Sequence, residues 1–187
     1  MRRRLLLAAS CLPALGCSPR NAPPQVSAFG SGEPVSTALN LAQRTFVARS
    51  LTYGRPADAA RAAAAMEYVV NAIPTDPQLF SLPADTKQGL IQGRAEVRAA
   101  IGISADAPSS LVIDRLLAAA AALERGDQEA AARELAPLVS SGTGEQMVTR
   151  LADLPYMQAA NAWTSAAADQ LAAAPSNELN ATDVIVP

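Results

Sequence analysis

LVIDRLLAAAAALERGDQEAAARELAPLV, residues Leu111–Val139, is the stretch whose reading decides the fold. Its apolar residues recur at Val112, Leu116, Ala119 and Leu123, then at Ala131, Leu135 and Leu138. Steps of three and four put each set on one face of a helix. Between the sets, Gly126 can take the left-handed conformation that ends a helix without a Cβ penalty. Asp127 can cap the next helix by accepting from its first free N–H groups. The stretch therefore reads as two antiparallel helices closed by a tight turn.

The same pattern extends over the chain. Half of the 187 residues are apolar and only 4% are aromatic. Alanine dominates the helical stretches, and runs of β-branched residues at strand spacing are scarce. An all-α fold is expected, with antiparallel hairpins packed as a short α-solenoid-like array or as an irregular helical bundle. A first helix should open at Pro34, a residue favoured in the first turn. With Val35, Leu39, Ala42 and Phe46 on one face, it should stop near Tyr53-Gly54. Pro56 should start a second helix, with a buried stripe at Ala59, Ala63, Met66, Val70 and Ile73, and Pro74 should end it. Asp76-Pro77 caps a short turn through Phe80, and a third helical stretch runs from about Ala84 to Ile101, with Gly102 as its C-cap. Thr143 and Gln146 fit a capping box, followed by a stripe at Met147, Leu151 and Leu154. A last helix restarting at Asp153 and Pro155 carries Tyr156, Ala160, Trp163, Ala167 and Leu171 on one face and ends at Pro175.

Gly89 and Gly93 lie inside the third stretch, where each glycine costs up to about 1 kcal/mol relative to alanine. Either another helix approaches closely there, or the notch is part of a ligand groove. Trp163, the single tryptophan, reads as an anchor of the last helix or as an exposed partner-binding aromatic. Aligning Gly54 on Gly126 matches Leu51 with Leu123, Ala59 with Ala131, Arg61 with Arg133 and Met66 with Leu138, an internal repeat unless alanine-rich helices align by chance.

The N-terminus carries a different kind of signal. Met1-Arg2-Arg3-Arg4 is a positive n-region, and Leu5–Leu15 is an apolar run too short to span a bilayer. Ala14-Leu15-Gly16-Cys17 follows and resembles the lipobox of bacterial lipoproteins. That resemblance implies cleavage before Cys17 and acylation of Cys17, with three acyl chains giving stable anchoring. Ser18 after the cysteine implies sorting to the outer membrane. Ala14-Leu15-Gly16 also fits ordinary signal peptidase, which would release a soluble periplasmic or secreted protein. Cys11 reads as a residue of the apolar run. Residues 1–16 are thus a signal peptide. Residues 17–33, rich in Pro, Ser and Gly, are a disordered tether. Residues 34–174 are the helical domain, and 175–187 a flexible tail ending in Val184-Ile185-Val186. A mature chain with one cysteine forms no internal disulfide.

Gly126-Asp127, Ala131 and Leu135 also resemble, over about 30 residues, the turn and the small and bulky second-helix positions of tetratricopeptide-type repeats. The resemblance implies a module that binds peptides or proteins on a concave face.

Chemistry is sparse. Histidine is absent, which removes the commonest general base and metal ligand and rules out a Ser-His-Asp or Cys-His nucleophile. Lys87 is the single lysine, and Ser81 six residues upstream is not at a helical neighbour spacing. Asp127, Glu129 and Glu134 cluster near one helix start, but a cap and the helix dipole account for the first two. No acidic-loop pattern suits a metal. Of 15 basic residues three lie in the leader, so the mature form sets 12 against 17 acidic ones, a net charge of −5. No basic patch suits nucleic acid. The expectation is a non-enzymatic protein without cofactor or metal, membrane-bound through Cys17, that contacts an unidentified envelope protein. The alternative is a periplasmic bundle that binds a small ligand near Gly89, Gly93 and Trp163.

Overall fold

The computed structural model describes Phe29 and residues 33–173. The stretch read as a signal peptide, Cys17, Cys11 and the stretch read as a tail from 175 lie outside the described residues. Those that are described form eight α-helices and no strand; the single β-bridge pairs Ile103 with Val139. The helices are α1 (Pro34–Phe46), α2 (Pro56–Ala72), α3 (Pro77–Phe80), α4 (Ala84–Ile101), α5 (Ser109–Glu124), α6 (Gln128–Leu135), α7 (Gly144–Ala152) and α8 (Gln158–Ala173). The fold is all-α. None of these helices is long and apolar enough to cross a membrane.

Local signals fix most boundaries. Proline occupies the first turn of α1, α2 and α3. The Asp76 carboxylate accepts from the Gln78 N–H at 2.9 Å. Gly102 closes α4 at φ 89°, and Gly126 closes α5 at φ 76°. Asp127 Oδ1 accepts from the Ala130 N–H at 2.9 Å, and Thr143 with Gln146 forms the complete capping box of α7. The hairpin at 111–139 is present. Leu116, Ala119, Ala131, Leu135 and Leu138 are buried and Leu123 is half-buried. Pro137, which has no N–H to donate, turns the end of α6 into a 3-10 turn over Ala136–Leu138.

Three expectations are corrected. First, α1 ends at Phe46 rather than near Tyr53-Gly54. Ala48 is extended, and Arg49–Leu51 form a 3-10 turn. Tertiary bonds override helix propensity here. Arg49 pairs with Asp153 and lies over the Tyr53 ring at 4.9 Å, and the Gly54 N–H donates to Ala152 O at 2.8 Å. The supposed repeat therefore agrees at its two left-handed glycines, Gly54 and Gly126, but not in its helices: α1 stops eight residues before its glycine and α5 two before. Second, Tyr156 is not on the last helix. It lies in the turn before α8, half exposed. Third, Phe29, inside the stretch read as a tether, is 5% exposed, with its ring centroid 5.0 Å from that of Tyr68.

The helix that organises the bundle is α2, not the 111–139 hairpin. Every residue from Ala59 to Val70 except Arg61 is buried. A helix covered on all sides belongs at the centre, and α2 packs against α1, α4, α5 and α7. Its alanines allow this, because side chains of one carbon let neighbouring helices approach to the short end of the usual spacing, roughly 8 Å. Around this centre α6 packs on α5, α7 packs on α6, and α8 packs against both α1 and α4. Contact between the first and last helices closes the ring. The arrangement is thus the irregular bundle rather than the solenoid-like array, in which each hairpin would touch only its sequence neighbours.

Candidate functional site

Cys17, the one site residue expected from sequence, lies outside the described residues. The acidic cluster can be placed. Asp127 caps α6, Glu129 pairs with Arg133 at 2.5 Å, and Glu134 pairs with Arg115 across the hairpin at 2.6 Å. Each carboxylate thus has its own local partner, and the three do not converge. Among the described residues no group of three or more Cys, Asp or Glu is placed to hold a metal ion. Ser81 Oγ donates to Gln78 O and Lys87 Nζ donates to Phe80 O at 3.0 Å, so these side chains engage backbone rather than each other.

Ionisation follows the same pattern. Burial, and secondarily the Asp76 carboxylate, raises the Tyr68 phenol, while the Thr143 hydroxyl lowers the exposed Glu145 carboxyl. Both shift away from neutral pH, the opposite of what a general acid or base requires.

The glycine notch of α4 is where α8 approaches. A Cβ on Gly89 would run into the Trp163 ring, and one on Gly93 would lie 2.9 Å from the Ala160 Cα. Trp163 is half-buried against this notch. Glu96, one turn further along α4, accepts from the Ala160 N–H at 2.9 Å and so holds the start of α8. Close helix approach accounts for both glycines: the notch is filled by Trp163, Ala160 and Met66, and an open hollow beside Trp163 is lined by Glu96, Gln158, Ala159 and Ala162.

Sequence reasoning missed the one buried ion pair among the described residues. Glu67 of α2 and Arg98 of α4 are 2% and 6% exposed. Arg98 Nε donates to Oε1 at 2.5 Å and Nη2 to Oε2 at 2.8 Å. Its Nη1 donates to the carbonyls of Ser104, Ala105 and Ala107, at 3.1, 2.8 and 3.0 Å. One guanidinium therefore fastens the α4–α5 connection to the central helix. The available signal was a carboxylate inside the otherwise apolar run Ala62–Val70. With Nη2 also donating to Ser109 Oγ at 3.4 Å, all three guanidinium nitrogens of Arg98 are engaged within the protein, and the buried pair is structural.

Asp127 separates a structural acid from a functional one. Asp127→Ala should lose the cap and about 1 kcal/mol, whereas Asp127→Ser should be nearly neutral because a hydroxyl accepts the same bond. Thermal melts of the two variants check this. Equal losses for both would show that the charge, not the cap, matters there.

No protein-family model matches this chain, no curated protein is found to be similar to it, and no solved structure matches its fold.

Proposed function

We propose that this chain is an exported, lipid-anchored and non-enzymatic helical module of the bacterial cell envelope, held at the outer membrane through acylated Cys17 and contacting another envelope protein. The observation that carries the reading is the order of the N-terminal signals. A triple-arginine n-region, a short apolar run and Gly16-Cys17 lie directly ahead of a Pro/Ser/Gly-rich stretch and a helical domain. An apolar run of that length is cleaved rather than retained as a span. Two features of the domain agree with a binding rather than a catalytic role. Asp127, Glu129 and Glu134 are each engaged by a cap or an arginine. Val47, Tyr53, Phe80 and Tyr156 are at least half exposed, as contact side chains must be. The small-ligand alternative places its pocket near Gly89, Gly93 and Trp163; Trp163 and Ala160 fill the notch at the two glycines, which leaves only an open hollow beside Trp163 lined by Glu96, Gln158, Ala159 and Ala162.

The test is Cys17→Ser. The wild-type protein should fractionate with membranes and carry acyl mass on a mature N-terminal Cys17. The variant should lose the acyl mass and move to the soluble envelope fraction. A wild-type N-terminus at Cys17 without acyl mass would overturn the reading.

A further inference from the structure

The chain that leads from Cys17 reaches the domain at a defined place. Phe29 is the first described residue, and its ring is seated against Tyr68 near the C-terminal end of α2. Twelve positions separate it from Cys17, a span of at most about 40 Å when fully extended. The same end of the bundle holds the first turn of α1 and all of α3. Asp76, the cap of α3, donates its N–H to Ala72 O at the end of α2, at 2.8 Å. Ser36 of α1 donates to Gln78 of α3 at 3.0 Å. Phe80 closes α3 and is 57% exposed. Lys87, the single lysine, lies beside it with Nζ on the Phe80 carbonyl.

We propose that this α3 corner is a membrane-contacting face, with Phe80 entering the headgroup layer of the bilayer that holds Cys17 and Lys87 meeting lipid phosphate. The proposal rests on the lipid-anchor reading above. An aromatic ring beside a cationic stem suits the interface, where the ring leaves water and the amine stays among polar groups. Electrostatics alone does not hold the face there, because Glu33 precedes α1, Asp76 caps α3 and Asp85 lies in the first turn of α4, the helix that carries Lys87. The tether does so, by raising the local concentration of membrane at Phe80. The opposite end, with Tyr156 beside Phe46, lies about 20 Å away, the length of α1.

The experiment uses the full-length acylated protein in phosphatidylethanolamine/phosphatidylglycerol vesicles. Once Cys17 is acylated the mature chain has no free thiol, so Phe80→Cys and Tyr156→Cys each accept one environment-sensitive fluorophore at an exposed position. The label at 80 should shift to the blue and be quenched by lipids carrying a headgroup-level quencher, and the label at 156 should do neither. Equal responses at the two positions overturn the membrane face and leave the anchor standing. A blue shift at 80 that lipid quenchers do not touch also overturns it, in favour of a second copy covering Phe80. Intact mass without acyl groups removes the anchor, and the proposal with it.

Discussion

Arg98→Met should destabilise the domain by about 3–5 kcal/mol, the expected penalty when one partner of a buried ion pair is removed. The variant strands the Glu67 carboxylate in a site 2% exposed. It also takes the Arg98 donor away from the carbonyls of Ser104, Ala105 and Ala107, of which Ser104 keeps the Ala107 N–H. A domain typically has only about 5–15 kcal/mol in hand, so this one change takes a large share. The double variant Glu67→Met/Arg98→Met should recover part of the loss, because the uncompensated charge is gone and methionine fills comparable space. Recovery should be incomplete, since the α4–α5 connection still lacks its donor. Urea denaturation of the three proteins decides it. A single variant within about 0.5 kcal/mol of wild type, the range of an ordinary surface change, would show that the pair contributes nothing.

Leu135→Ala should be the next largest effect, about 2–5 kcal/mol, since the side chain is fully buried and a cavity would remain where α6 meets α5. The neighbouring Arg133→Ala should change stability by less than about 0.5 kcal/mol. Arg133 is 62% exposed and pairs only with Glu129 one turn away. Denaturant melts of the two variants test the facing of α6 directly. Losses of similar size would mean that the helix is rotated from the position described.

What could be read in advance was local. Pro34, Pro56, Asp76-Pro77, Gly102, Gly126-Asp127 and Thr143–Gln146 each act on backbone within a turn of themselves, and each marks a helix end that is present. What could not be read depends on residues far apart in the chain. The early end of α1 is enforced by Asp153 and Ala152, about a hundred residues on. The Glu67–Arg98 pair spans 31 positions. The central place of α2 was hidden for another reason: an alanine run presents the same small group in every direction, so periodicity cannot tell a helix with one covered side from one covered all round. Phe29 looked like part of a spacer because its surroundings are Pro, Ser and Gly, and a single aromatic has no period. The proposed site rests on the Gly16-Cys17 signal alone, which is a matter of chain chemistry rather than packing and lies outside the described residues.

Packing the first helix against the last has a consequence for how the protein comes into being. Ribosomes deliver the chain from its N-terminus, so α1 and α4 are complete well before α8, the helix that covers both. Until Gln158–Ala173 arrives, the flank of α1 carrying Leu39 and the Gly89/Gly93 notch of α4 have no partner. Exposed apolar surface of that kind characterises an unfinished intermediate. Joining α1 to α8 also brings together helices more than a hundred residues apart in the chain. Completion of the native bundle is thus deferred until α8 has been made, so the earlier helices wait as an incomplete and pliable assembly.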